Sequence, residues 1–193
     1  MRPPHFRRSV LVAAIPFTVA LAGCFEGEST SHDEPTGSGI VPSDSYDCAD
    51  TDRPDPETLS HTDDVEPAPY PAPPSPVSDG ADQYVLEFER AYRRNTFLET
   101  YGAEADRFEF RFQERQIDGI ESDTEMEAVL ASIVYDLTTS TRQTDASTER
   151  DTRVTYYVDE NVVLRARYRG GLADEPSFDP DPRDAGEPVA CFE

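Results

Sequence analysis

Arginines that alternate with apolar residues along three segments could bind an anion together. Arg107 and Arg111 alternate with phenylalanines, and two later segments repeat the pattern. If these segments are aligned strands, the arginines share one sheet face, and guanidinium forks suit phosphate, sulfate or carboxylate groups. The alternative is that they pair with Glu109 and other acids across strands as solvated ion pairs. The candidate ligand-binding residues are Arg107, Arg111, Arg153, Arg165, Arg167 and Arg169.

The segment 79–170 offers few groups for catalysis. It contains no histidine, no cysteine, no glycine-rich phosphate loop and no G-x-S-x-G motif,. A carboxylate pair such as Glu109 and Glu114 could act as acid and base, but such pairs arise by chance in a chain this acidic. The acidic runs also lack the spacing of a calcium loop. We therefore expect no enzyme, no cofactor and no metal site. The histidines are His5, His32 and His61.

The N-terminus has the charge and hydropathy of a signal peptide. No acidic residue precedes Glu26, whereas Arg2, Arg7 and Arg8 are basic. An apolar run of about 13 residues follows, shorter than the 20 or so that span a membrane. This pattern predicts an export signal over residues 1–23.

The end of this apolar run, Leu21-Ala22-Gly23-Cys24, resembles the lipobox of secreted lipoproteins. The resemblance implies that Cys24 carries a lipid, which makes a membrane the first partner and the extracellular face the location. An ordinary cleavage site beside a chance cysteine is the alternative. Arg7-Arg8 also resembles a twin-arginine signal, although the export route stays open.

The charge of the chain indicates a salty environment. The net charge is −23, and all 17 basic residues are arginine. This composition resembles that of haloarchaeal proteins, and in molar salt the Debye length of about 3 Å removes most of the self-repulsion. The acidity also argues against a nucleic-acid partner, because high salt weakens phosphate contacts.

Composition divides the mature chain into three parts. Residues 24–78 are acidic and rich in Pro, Ser and Thr, which predicts a disordered spacer. Residues 79–170 have the patterns of a folded domain, and 171–193 form an acidic tail.

The folded part is expected to begin with one amphipathic helix over residues 80–101. Apolar residues recur there at helical spacing from Ala81 to Leu98,. Asp79 is the expected N-terminal cap, with Asp82 three positions on, and Gly102 is the expected C-terminal stop.

Strands should follow the helix. Residues 107–113, 154–158 and 162–168 alternate with a period of two, and Asp159-Glu160-Asn161 suits a tight hairpin,. Residues 126–139 fit both a helix and a strand, and we choose a strand because of their β-branched content. The predicted fold class is α+β, one N-terminal helix on a roughly four-stranded antiparallel meander.

The segment Tyr84–Asn95, together with the lipobox and the acidic spacer, resembles haloarchaeal secreted lipoproteins of unknown activity. The resemblance implies location and not activity. A helix on an antiparallel sheet also resembles cystatin-like or NTF2-like cones, which is a statement about fold alone.

Assigning Cys24 to a lipid leaves Cys48 and Cys191 as an even pair,. Outside the cell such a pair tends to oxidise. The bridge would close a loop of about 140 residues and stabilise the fold by about 4 to 5 kcal/mol. Two independent thiols are the alternative.

Taken together, these features predict a non-catalytic, surface-tethered binding module whose partner is an unknown protein or an anionic ligand. A structural cell-envelope protein whose acidic flanks hydrate the surface is the alternative. An enzyme with an unusual carboxylate site is the third possibility.

Overall fold

A computed structural model describes residues 39–51, 53–121 and 126–192. In this part of the chain the helices are α1 (Ala81–Tyr101) and α2 (Pro182–Ala185), and the strands are β1 (Ala105–Glu121), β2 (Met126–Thr141), β3 (Thr144–Asp159), β4 (Val162–Arg167) and β5 (Glu187–Cys191). Each strand pairs antiparallel with its neighbour in sequence, so the sheet has the order β1-β2-β3-β4-β5. The α+β prediction, with one main helix on an antiparallel meander, is confirmed.

Helix α1 packs the apolar stripe of its sequence against one face of the sheet. Phe88 and Val85 are fully buried there, beside Tyr156 of β3. Burying a side chain of this size contributes about 1.5–3 kcal/mol, so the stripe is what holds the helix in place. The sheet face that it covers is called the helix face below.

The predicted C-terminal end of α1 is confirmed, and the predicted N-terminal cap is wrong. Gly102 ends the helix with φ 48°, and its N–H donates to the Leu98 carbonyl. At the start, the capping position is Gly80, with φ 85° and no side-chain cap. Asp79 is therefore not the cap: its N–H donates to the Pro76 carbonyl in a turn, and glycine takes the positive φ that the chain needs next,.

The sheet has one strand more than expected. The ambiguous segment 126–139 lies within β2 and is a strand, as predicted. The additional strand is β5, which comes from the predicted tail and places Cys191 opposite Val162 of β4. It escaped prediction because it is only five residues long and contains Pro188.

The second face of the sheet is covered by chain from both ends of the described region. The Val41 N–H donates to the Tyr157 hydroxyl at 3.0 Å. From the C-terminal side, the Thr155 hydroxyl donates to the Pro180 carbonyl at 2.6 Å. The sheet is thus apolar on both faces in its centre, with α1 on one side and these two segments on the other.

Much of the predicted spacer packs onto α1. Val65 is buried with Phe97, and the Tyr70 ring lies 5.0 Å from that of Phe88. The Asn95 amide accepts from the Ala68 N–H and donates to its carbonyl, both at 2.9 Å. This differs from the disordered spacer expected over residues 24–78, because one valine, one tyrosine and a buried asparagine supply anchors that average composition hides. Residues 24–38 lie outside the described residues.

The predicted disulfide is confirmed. Cys48 and Cys191 are bonded across 143 residues of sequence. The bond joins a short 3-10 helix at Cys48–Asp50 to the end of β5. It therefore fastens both of the predicted flanks to the sheet.

Candidate functional site

The strand register divides the six predicted arginines between the two faces of the sheet. Tyr156 lies opposite Arg165, and Val154 lies opposite Arg167. Because directly opposed residues share a face, Arg165 and Arg167 lie on the helix face. Arg107, Arg111 and Arg153 oppose Ser140, Asp136 and Val134 of β2, which belong to the second face. The prediction of one arginine-rich face is therefore wrong.

The error arose from treating the apolar residues of β3 and β4 as one set. The two-residue turn after Asp159 pairs Val158 with Val163, so Leu164 turns to the second face. Leu164 is buried there beside Tyr157, in a cluster separate from the one under α1. The apolar residues of β4 are thus covered on both sides, and Arg165 is directed under the helix, whereas the Arg167 side chain is 39% exposed.

The three arginines of the second face do not form a site. Arg107 pairs with Glu109 at 2.7 Å, and both side chains are more than half exposed. Arg153 is buried, and its Nη2 donates to the Asp179 carbonyl at 2.7 Å, which anchors the C-terminal segment. Arg111 is exposed on β1.

On the helix face, a fully buried carboxylate joins α1 to the sheet. Arg165 donates from Nε to Oε2 and from Nη2 to Oε1 of Glu89, each at 2.8 Å. The hydroxyls of Tyr135 and Tyr156 donate to the same two oxygens. Four donors thus satisfy the carboxylate, which is the condition for burying a charge without a large penalty.

The charges of this cluster support one another. Burial by itself would raise the pKa of Glu89, but the charge and hydrogen bonds of Arg165, with smaller contributions from Arg93 and Tyr135, lower it below its ordinary value. Burial and the adjacent Glu89 carboxylate raise the pKa of Tyr156 well above its ordinary value. Glu89 is therefore ionised and the tyrosine is neutral, so each keeps its role as acceptor or donor.

A second carboxylate, Glu149, is held at the edge of this cluster. Arg93 of α1 donates from Nη2 to both of its oxygens, at 2.9 and 3.0 Å. Arg167 of β4 donates from Nη2 to Oε2 at 2.7 Å. One carboxylate is thus clasped by two guanidinium groups from different elements, and its side chain stays 45% exposed.

A β-bulge directs Glu149 to the helix face. Tyr135 opposes Thr152, yet Leu137 opposes Glu149, so one extra residue stands in β3 between these pairs. Because strand side chains alternate, that residue reverses which face the remainder of β3 presents. Asp151, with φ 47°, lies in the bulge, and its N–H donates to Asp136 Oδ1 at 3.0 Å.

These residues line a cleft of about 420 Å³ between α1 and the sheet. Its apolar and aromatic lining consists of Tyr92, Phe97, Tyr101 and Leu137, and its charged lining consists of Arg93, Arg165, Arg167, Arg169, Glu149 and Glu187. The two sets interleave: Leu137 stands opposite Glu149, and the Arg165 guanidinium lies 4.5 Å from the centre of the Tyr92 ring. We call this feature the arginine cleft.

The arginine cleft carries one positive charge in excess, because its four arginines are accompanied by the three carboxylates of Glu89, Glu149 and Glu187. Arg165 is neutralised by Glu89, whereas Glu149 is shared between Arg93 and Arg167. Arg169 is exposed, and no described residue forms a hydrogen bond or ion pair with it. An arrangement of this kind can bind an anion, and the exposed Tyr101 ring can contact an apolar part of the ligand,.

Other candidate groups have no comparable setting. Glu114 is exposed on β1, and Glu109 is already paired with Arg107. His61 is exposed. Among the described residues, no three His, Cys, Asp or Glu side chains are grouped so that they could hold a metal ion. Cys24, His5 and His32 lie outside the described residues.

The comparisons with known proteins found no match among family models, curated proteins or solved structures. Within the described part of the chain, no helix is long and apolar enough to cross a membrane. The resemblance to cystatin-like or NTF2-like cones stays an analogy.

Sequence reasoning found three residues of the cleft, Arg165, Arg167 and Arg169, and missed Glu89, Arg93 and Glu149. One available signal was Glu89 itself, which stands four residues after Val85, on the apolar stripe of the helix. A charge at such a position requires a buried partner of opposite sign. No comparable signal marks Glu149, since its orientation depends on the bulge.

Proposed function

We propose that the chain is an exported, lipid-anchored cell-surface protein that binds an anionic ligand in the arginine cleft without catalysing a reaction on it. The observation that carries the binding part is the position of Arg167 and Arg169, which line one cleft with incomplete or no neutralisation. The export and anchoring part rests on the sequence of residues 1–24, and on the lipobox resemblance at Cys24 above all.

The contrast between the cleft and the rest of the chain supports an anionic ligand. Acidic residues outnumber basic residues by 40 to 17 in the chain. Arg93, Arg167 and Arg169 nevertheless line one cleft, and they present donors in the planar geometry that carboxylate and phosphate groups match. These contacts act at hydrogen-bonding distance, where the screening expected in molar salt weakens them less than it weakens longer-range attraction.

The buried cluster beneath the cleft supports binding rather than catalysis. Both oxygens of Glu89 are occupied by donors from Arg165 and two tyrosines. An ionised carboxylate in this state has no proton to give and no open position to accept one. Its role is to fix α1 against β4, which holds the cleft walls in place before a ligand arrives and so lowers the entropic cost of binding.

The proposed anchor would leave only the residues between Cys24 and Gly39 to act as a tether. Residues 39–51 and 53–78 pack on the folded unit, so they do not add to the length of a tether. The chain from Cys24 to Gly39 can extend at most about 50 Å. A diacyl or di-isoprenoid group on Cys24 would give a stable attachment, which one short chain would not.

A thermal-shift titration of the full chain with phosphate, sulfate, acetate and phenylacetate tests the binding part. A ligand that binds the native state raises the melting temperature by mass action. We expect at least one anion to do so for the native chain and not for the double variant Arg167→Gln/Arg169→Gln. The matched control is Arg107→Gln/Arg111→Gln, which removes the same charge from the second face and should respond as the native chain does.

Equal responses of the two double variants would contradict a site in the cleft. If no anion stabilises any of the three proteins, the binding proposal fails, and a structural cell-envelope protein with hydrating acidic flanks becomes the better account.

A further inference from the structure

The structure contains a carboxylate already bound at the arginine cleft, which is that of Glu149. Its oxygens accept two hydrogen bonds from Arg93 and one from Arg167. These two arginines come from α1 and β4, so the position between them is fixed by the packing of the helix on the sheet and not by β3. The guanidinium groups therefore define a carboxylate position that the Glu149 side chain occupies.

Glu149 is held far less firmly than Glu89. The Glu89 side chain is fully buried and accepts from four donors, whereas the Glu149 side chain is 45% exposed. Glu149 also stands beyond the bulge, where the residues from Thr144 to Glu149 are all exposed. Exposed ion pairs of this kind contribute only about 0–1 kcal/mol, so a competing carboxylate can replace this one at little cost.

Once Glu149 turns away, the cleft offers a carboxylate position together with an exposed aromatic ring. Arg93 and Arg167 lose their shared acceptor, and the Arg169 guanidinium lines the same cleft. Tyr101 also lines the cleft and is 48% exposed, whereas Phe97 and Leu137 are buried and the Tyr92 ring is covered by Arg165. A ligand that uses both features has a carboxylate at one end and, at the other, an aromatic or aliphatic body that contacts Tyr101.

We propose that the arginine cleft binds a small organic carboxylate with an apolar body, and that this carboxylate displaces Glu149 from Arg93 and Arg167. The inference rests on the proposed function and narrows its anion to a carboxylate. Glu149 acts as an internal competitor, which keeps the two arginines paired until a ligand with an apolar body adds contact energy that Glu149 cannot supply.

Ligand-observed NMR titrations of the full chain in detergent test the proposal with phenylacetate as the probe. Acetate carries the carboxylate alone, 2-phenylethanol carries the ring alone, and phenylphosphonate replaces the carboxylate by a phosphonate. We expect phenylacetate to bind about 2- to 10-fold more tightly than acetate, because an aromatic pair with the exposed Tyr101 ring contributes about 0.5–1.5 kcal/mol. Phenylethanol and phenylphosphonate should bind more weakly than phenylacetate.

The variant Glu149→Gln separates displacement from simple binding. Removing the competitor should tighten phenylacetate binding by about two- to fivefold, the range that an exposed ion pair allows. Glu187→Gln is the matched control: it removes a carboxylate from the same cleft that stands opposite Arg165 in the strand register but forms no salt bridge with a described arginine. It should change the affinity less than Glu149→Gln, and Arg167→Gln should weaken it.

An affinity that is unchanged or weaker in Glu149→Gln overturns displacement, as does an equal gain in Glu187→Gln. If phenylphosphonate or phosphate binds more tightly than phenylacetate and needs Arg167, the carboxylate inference falls while the anion-binding function stands. If no anion binds and Arg167→Gln changes nothing, both fall.

Discussion

Arg165 donates to both carboxylate oxygens of Glu89, each at 2.8 Å, and the Glu89 side chain is fully buried between α1 and the sheet. This pair fixes the rotation of α1 against β4, and with it the position of every side chain that the helix contributes to the cleft.

Breaking the pair should cost a large part of the stability. Glu89→Gln leaves Arg165 buried without its counter-charge, which typically costs 3–5 kcal/mol. Urea denaturation monitored by circular dichroism measures the change in the free energy of unfolding. The exposed Glu114→Gln on β1 is the control and should leave that free energy nearly unchanged. A loss below about 1 kcal/mol for Glu89→Gln would contradict the strength of the buried pair.

The same carboxylate should make stability depend on pH. Arg165, opposing the effect of burial, lowers the Glu89 pKa below its ordinary value of 4.5. Between the two values the unfolded chain binds more protons, so the stabilisation is complete above 4.5 and is lost as pH falls through the lower, folded-state pKa,. Urea titrations from pH 6 downward should show a shallower fall for Glu89→Gln than for the native chain.

That comparison needs the control because many other carboxylates titrate in the same range. Glu114→Gln should keep the native slope. Identical slopes for Glu89→Gln and the native chain would mean that Glu89 is not held ionised by Arg165.

The disulfide should contribute strongly to stability because its loop is long. In the chain-entropy model a loop closed by residues 143 apart is worth about 4 to 5 kcal/mol,. The double variant Cys48→Ser/Cys191→Ser should unfold at correspondingly lower urea concentration. Native protein with its disulfide reduced should behave in the same way. Hydrogen exchange should locate the loss first at β5 and at residues 39–46, and uniform exchange over the whole chain would contradict that location.

The packing of residues 62–70 on α1 should be visible in solution. Asn95→Ala removes the amide that pairs with both backbone groups of Ala68, at a cost of about 1–3 kcal/mol. The control Thr100→Ala removes the exposed hydroxyl bond to the Thr96 carbonyl near the helix end and should cost far less. Hydrogen exchange over residues 62–70 should be slow in the native chain and faster in Asn95→Ala. Fast exchange over these residues in the native chain would contradict the packing and support the disordered spacer that the composition predicts.

Lipid anchoring should depend on Cys24. In the native host, Cys24→Ser should leave the protein unprocessed or release it from the membrane, because no thiol remains for the lipid. Membrane fractionation and intact mass measure the outcome, with the exposed Glu114→Gln as the control, because it leaves both Cys24 and the disulfide intact. Unchanged mass and membrane association in Cys24→Ser would contradict lipidation.

The sequence predicted the elements better than it predicted their faces. Period-two alternation located β1, β3 and β4, and the helical stripe of α1 was right to within one residue. The face on which a strand residue lies depends on the register between the strands. For Arg165 and Arg167, a two-residue turn at Glu160–Asn161 would have given the correct register and therefore the correct face. The face of Glu149 depends on a single extra residue in β3, and alternation counted from Val154 gives the opposite answer.

Amino-acid composition predicted which segments are ordered less well than alternation predicted the strands. The Pro-rich segment before α1 has the composition of a disordered spacer, and the acidic segment after β4 has that of a tail outside the fold. Val65, Tyr70 and β5 nevertheless pack on the sheet or helix. A few anchors and one disulfide suffice to order such segments, because each ties down several extended residues that have little rotational freedom to lose.

The central claim is that the arginine cleft is the binding site, and side-chain NMR of the arginine Nε–Hε groups tests it most directly. On addition of phenylacetate to the full chain, the account predicts that the resonances of Arg93, Arg167 and Arg169 shift together along one saturable curve. Those of Arg107 and Arg111 should stay in place. Shifts of equal size at all five arginines, or at Arg107 and Arg111 alone, would contradict it.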